Sequence, residues 1–104
     1  MIITTSDKVE GKTITKTMGW VKGSTIRARH VGRDIVAGLR GMVGGEITEY
    51  TKMMAEAREQ AIQRMTEEAE QKGANAVISM RFTTSMIMSN AAEVLVYGTA
   101  VVLE

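Results

Sequence analysis

Residues 93–103 read Glu-Val-Leu-Val-Tyr-Gly-Thr-Ala-Val-Val-Leu, a strand-like run that is apolar on both of its alternating sets. Successive side chains of a strand point to opposite faces, so a sheet with one wet face shows a polar residue at every second position. Neither set is polar here, and both faces of this strand therefore need cover. A chain of 104 residues with one long helical segment covers one face from its own helix. The simplest cover for the other is a second copy of the chain, which predicts a homo-oligomer. Gly98, in the middle of the run, marks a bulge or a close backbone approach, and Tyr97 and Gly98 are expected at the subunit seam.

Strand patterns fall at about 2–5, 12–22, 24–31, 76–86 and 92–103, and helical patterns at about 34–43 and 46–72. Lys22-Gly23-Ser24 and Ser89-Asn90-Ala91 read as hairpin turns. Between them, the run ending at Val31 stops at Gly32, Asp34 opens a short apolar helix, Gly44-Gly45 ends it, and Glu46 starts the longer one. A carboxylate at each helix start satisfies orphan amides and complements the dipole. Gly73 stands where a helix C-cap glycine belongs, with Lys72 suited to the C-terminal dipole. Strands, then helices, then strands predict a single α+β domain over 1–104. Its expected architecture is a two-layer antiparallel sheet with one short and one long helix on one face.

On a helical wheel, Ile47, Tyr50, Met54, Ala61, Met65 and Ala69 share one arc, while Glu49, Glu56, Glu59, Glu67 and Glu70 lie outside it. This is the pattern of an amphipathic helix laid on a sheet. Arg58 falls inside the apolar arc. A charge there needs a polar partner or a seam with another subunit, unless its stem packs and its head reaches water. It is taken as an interface candidate. Arg64–Glu68 and Glu68–Lys72 have the spacing of stabilising pairs along the wet face.

Composition narrows the chemistry. No cysteine means no disulfide, thiolate metal site or thiol catalysis, and a single histidine with no Ser-His-Asp spacing leaves no catalytic constellation. Catalysis is not expected. The net charge of +1 supplies no field for nucleic acid, and Trp20, Tyr50, Phe82 and Tyr97 are scattered along the chain. No stretch approaches the roughly 20 apolar residues that span a bilayer, and residues 1–7 lack the basic and apolar segments of a signal peptide. The expectation is a cytoplasmic protein without nucleic-acid or membrane partners.

Several blocks together form a recognisable pattern: Met1-Ile2-Ile3-Thr4-Thr5, Gly32-Arg33-Asp34, Ala37-Gly38-Leu39-Arg40, Val43-Gly44-Gly45, Ala57-Arg58-Glu59, Gly73-Ala74-Asn75-Ala76-Val77 and Gly98-Thr99-Ala100-Val101. The chain resembles the YbjQ-like family of small bacterial and archaeal proteins over essentially its whole length. The resemblance implies an α+β subunit assembled into a ring-shaped homo-oligomer, a pentamer. The family also carries a heavy-metal-binding label, with no ligand set attached to it.

Three groups of residues are candidates for binding. His30 shares a strand face with Ile26 and Ala28. It is either a hydrogen-bonded core residue or a metal ligand with Asp34 and Glu46, and a ring could gather one His30 per subunit around its axis. Met86 and Met88 offer thioethers that suit Cu(I). Arg27, Arg29, Arg33 and Arg40 bracket the turn into the first helix, either as an anion site or as a solvated face paired with Asp34 and Glu46. The sequence thus predicts a non-catalytic, ring-forming binding protein for a metal ion or a small anionic ligand, or else a scaffold whose partner is itself.

Overall fold

A computed structural model describes residues 1–28, 48–89 and 91–104. The elements are β1 (Ile2–Ile3), β2 (Ile14–Ala28), α1 (Thr48–Gln71), β3 (Ala76–Met88) and β4 (Ala91–Leu103). They form a four-stranded sheet in the order β1-β3-β4-β2, with the helix on one face. The class is α+β, as expected, but the sheet is mixed rather than antiparallel. β1 runs parallel to β3, pairing Ile2 with Ala76 and Ile3 with Val77, while the other two ladders are antiparallel. The helix returns the chain to the end of the sheet where it began, and the Ile2 amide donates to the Asn75 carbonyl there. The expected short helix over 34–43 lies outside the described residues.

β2 corrects a second expectation. No hairpin forms at Lys22-Gly23-Ser24; the strand runs unbroken through 15 residues. Gly23 is needed for a different reason: a Cβ on it would overlap the Ala61 carbonyl oxygen. The helix backbone therefore lies directly on the strand, and a glycine is what permits that approach. Two residues on, the Thr25 hydroxyl, which is buried, donates to the Ala57 carbonyl at 2.9 Å. Helix and strand thus run antiparallel in contact.

The helix buries Ala57, Ala61, Met65 and Ala69 against Val21, Val77, Val94, Val96 and Ala100. Small residues on the helix face let it approach closely, and Met65 fills the remaining gap. At its C-terminus Gly73 adopts a left-handed conformation (φ 83°), with Ala74 N–H bonding Ala69 O at 3.1 Å and Gly73 N–H bonding Glu70 O at 2.9 Å. That is a Schellman cap, at the glycine the sequence marked.

A second, smaller core lies on the opposite face: Ala76, Ile78, Val101 and Leu103, covered by Val9. The C-terminal half of β4 is therefore sandwiched within one chain, and its apolar outer set is covered there by the N-terminal segment. The other half is not covered in this way. Leu95 is half-buried and Tyr97 exposed on that same face. Gly98 lies between the two halves, opposite the β3 irregularity between Ile78 and Arg81, where a Cβ would stand 2.6 Å from Val77 Cγ1 and 3.0 Å from Ile78 O.

Candidate functional site

The irregularity in β3 sets the geometry of the rest of the sheet. Ser79 (φ 54°) and Met80 both turn their amides to the N-terminal segment, Ser79 N–H to Ser6 O at 2.8 Å and Met80 N–H to Thr4 O at 3.0 Å. The extra residue shifts the register, so Arg81 pairs with Tyr97. Beyond this point nothing from the N-terminal segment follows β3, and residues 81–88 are exposed throughout.

Directly paired residues share a sheet face. The registers Lys22↔Tyr97 and Arg81↔Tyr97 therefore place these three side chains in one row on the face away from the helix. Trp20 (63% exposed), Ile26 (63%) and Tyr97 (40%) all lie on this face. The Lys22 ammonium sits 5.3 Å from the centroid of the Trp20 ring, a cation–π contact. The Arg81 guanidinium donates to Thr5 O and Met80 O, which anchors it beside the N-terminal segment. Of the aromatics read as scattered along the sequence, Trp20 and Tyr97 are thus brought to one face by strand pairing, while Phe82 lies on the other. The signal available for this was parity: Trp20, Lys22, Ile26 on one strand and Leu95, Tyr97 on another are each spaced by even steps.

On the helix face, β3 contributes Phe82, Thr84 and Met86, which align with Val96, Val94 and Ala92. Met86 is 73% exposed. Met53, Met54, Thr84 and Met86, with Arg27 and Ser89, line an open-sided cavity of about 220 Å³ whose exposed surface is mainly apolar. Sequence reasoning paired Met86 with Met88; the fold sets Met86 instead with two methionines of the first helical turns.

Of the predicted anion-binding residues, Arg27 is half-buried at the end of β2, and its Nη2 donates to Gln60 Oε1 at 2.8 Å. Glu56 and Glu59 line the same open groove, and their carboxylates work against an anion there. Arg29, Arg33 and Arg40, and the metal candidates His30, Asp34 and Glu46, lie outside the described residues. Among the described residues no three His, Asp or Glu side chains come together as a metal-binding group. Arg58, though inside the apolar arc on the wheel, is exposed. The Arg64–Glu68 and Glu68–Lys72 pairs do not form. The Arg64 guanidinium donates instead to the Ser24 carbonyl at 2.6 Å, and the Lys72 ammonium to the Trp20 carbonyl at 3.3 Å. Among the described residues no helix is long and apolar enough to cross a membrane.

The sequence model of a family described as "Putative heavy-metal-binding" matches residues 1–104. A UPF0145 protein of Methanosarcina acetivorans is 62% identical over 101 residues, 97% of this chain and 95% of that one. UPF0145 proteins of Dehalococcoides mccartyi and Clostridioides difficile are each 60% identical over the whole chain, covering 100% and 93% of their own lengths. Among solved structures, a protein of unknown function from the DUF74 family of Pediococcus pentosaceus superposes with a TM-score of 0.73 at 18% identity, over 100% of this chain and 98% of that one. At that identity the likeness speaks for the fold alone.

Proposed function

The chain belongs to the UPF0145, or YbjQ-like, family, and from that premise we propose that it is a self-assembling binding protein rather than a catalyst. The observation that carries this reading is the half of the sheet that the described residues leave open. Trp20, Ile26 and Tyr97 on one face, and Phe82, Met86, Ile87 and Met88 along β3 and its tip, are large apolar side chains exposed in the isolated chain. Scattered single exposures are ordinary, but a cluster of this kind marks an interaction surface. The shape supports the same reading. The chain measures 53 × 24 × 16 Å with a radius of gyration of 17.2 Å, against about 13 Å for a compact chain of this length. A sheet that projects beyond its own core is stabilised when a copy covers it. The family resemblance favours a ring of five, with Tyr97, Gly98 and Arg58 at or near the seam.

Native mass spectrometry of untagged protein, purified without chelator, tests this directly. A defined oligomer is expected, and a monomer at micromolar concentration would overturn the reading.

The ligand is the second part of the proposal, and the family's description favours a metal. Two donor sets are available. His30, Asp34 and Glu46 suit a borderline ion such as Zn(II), whereas Met53, Met54 and Met86 offer only thioethers, which select Cu(I) or Ag(I). The gathering of three methionines around one cavity that no carboxylate or imidazole lines favours the thioether set. Titration with Ag(I), followed by the methyl resonances of labelled methionine, is expected to shift three of the nine signals, and Met86→Leu to reduce affinity at least tenfold. A response to Zn(II) alone, lost in His30→Ala, would assign the metal to the other set.

A further inference from the structure

Arg81 is held more firmly than a cation that serves solubility alone. Its Nη1 donates to the carbonyls of Thr5 at 3.0 Å and Met80 at 2.8 Å, which engages both hydrogens of that nitrogen with main chain. The side chain is nonetheless exposed, and among the described residues its Nε and Nη2 have no partner. Those two nitrogens form the side-on fork that takes a carboxylate or a phosphate through parallel hydrogen bonds. Because the N-terminal segment already fixes the guanidinium, little side-chain entropy is lost when an anion arrives.

The row around Arg81 is short of negative charge. Tyr97 separates Arg81 from Lys22, and strand spacing sets the main chains of the two cations about 10 Å apart. Lys22 lies over Trp20 and, like Arg81, pairs with no described carboxylate. On this face of the three long strands the one carboxylate is Glu93, four residues from Tyr97 and therefore about 13 Å along the strand. Asp7 and Glu10 of the N-terminal segment are exposed and form no ion pair among the described residues. The net charge of +1 conceals a division: α1 carries six glutamates and three cations, and the rest of the chain ten cations and six carboxylates. The negative layer is the helix, on the far side of the sheet from this row.

We propose that Arg81, Tyr97 and Lys22, with Trp20 beside them, form a binding site for an organic oxyanion carried on a planar aromatic body. Arg81 takes the phosphate or carboxylate through its free fork, and Lys22 adds a second positive charge across Tyr97. The ring of the ligand lies over Tyr97 toward Trp20. Trp20 pairs with Thr99, two residues from Tyr97 on β4, which is a diagonal position within reach of aromatic side chains. The place is a step rather than a flat sheet, because Val9 stands over Ile78 and Val101 in the adjoining rows. A bare inorganic anion leaves the aromatics unused, and an uncharged ring leaves the fork unused. This goes beyond the self-assembly reading, uses none of the thioethers and depends on no copy number.

Trp20 is the single tryptophan of the chain, so its fluorescence reports from the site itself. Adenosine monophosphate and benzoate probe the phosphate and the carboxylate source, with adenosine and inorganic phosphate as the separate halves, all in Tris chloride at low ionic strength. A saturable change in emission is expected with one or both of the aromatic anions, and the tighter of the two names the oxyanion. The halves are expected to bind about tenfold more weakly or worse, and 0.5 M salt to weaken the aromatic anion. Arg81→Gln should reduce affinity about tenfold or more. Arg81 also anchors the N-terminal segment, so Lys22→Gln, which breaks no hydrogen bond, is the second variant and should cost about threefold or more. No response to either aromatic anion overturns the site. So does an affinity that both variants leave unchanged, or adenosine binding as tightly as its monophosphate, which would make this an aromatic surface without an anion site. If Arg81→Gln fails to fold, Lys22→Gln and the salt dependence decide. A native oligomer that binds neither probe leaves the self-assembly reading standing.

Discussion

β2 and β3 are the two long strands flanking β4, and among the described residues only β2 has its outer edge guarded along its length beyond the reach of β1. β2 has α1 lying on it at backbone distance, with Gly23 making room and two cations from the helix reaching over its edge to Trp20 and Ser24. β3 beyond Arg81 is paired with β4 alone, and among the described residues no second strand and no charged side chain guards its outer edge. The difference shows that edge protection here is a by-product of where the helix packs. Arg64 and Lys72 stand on the wet side of α1, and only the close approach at Gly23 brings them within reach of the β2 carbonyls. Remove that approach and the two edges should come to resemble each other.

The largest expected effect follows from breaking it. Gly23→Val drives a side chain into the Ala61 carbonyl, where no rotamer change relieves the overlap because the obstacle is main chain. The helix must lift from β2, which costs about 3 kcal/mol or more on the scale of overpacked cores. Urea unfolding should show the loss in full. Because the lifted helix also withdraws Arg64 and Lys72, the folded fraction should aggregate more readily than wild type by light scattering. An unchanged midpoint would mean that helix and strand are not in contact at Gly23.

How far the sequence foretold this arrangement depends on what kind of signal each part leaves. The long helix and its cap were legible, because a 3.6-residue periodicity over 24 residues and a glycine at the C-terminus are local signals. The last strand's two-sided apolarity was legible too, and half of its explanation lay within the chain, in Val9 over Val101 and Leu103. Gly23 was misread as a turn. A glycine that relieves the backbone and one that admits another backbone look alike in sequence, and only the partner 38 positions away, Ala61, distinguishes them. The same holds for Arg64 and Lys72. Their spacing to Glu68 suggested pairs along the helix, yet solvated pairs of that kind stabilise by only a few tenths of a kcal/mol, and a strand edge with open carbonyls offers better acceptors. Of the candidate site, the single described member of the arginine cluster, Arg27, lies beside Gln60 and two glutamates, a neighbourhood that the local sequence around Arg27 does not show.

The finest test leaves the fold intact and equalises the edges instead. Arg64→Ala with Lys72→Ala removes both guards. Each contributes one exposed hydrogen bond to a carbonyl, so the combined loss of stability should be about 1–2 kcal/mol at most, visible as a small shift in the urea midpoint with no change in its slope. The informative readout is association. Among the described residues wild type leaves one long strand edge open, that of β3 beyond Arg81; the double variant opens a second, and that strand is long, with Trp20 and Ile26 on it. Higher-order species should therefore appear on sedimentation, and restoring charge at the same edge with Ser24→Lys should suppress them. If the double variant sediments like wild type, the cations at Trp20 and Ser24 are not what keeps β2 unpaired. The contrast between the strands would then lie in the faces they present and not in their edges.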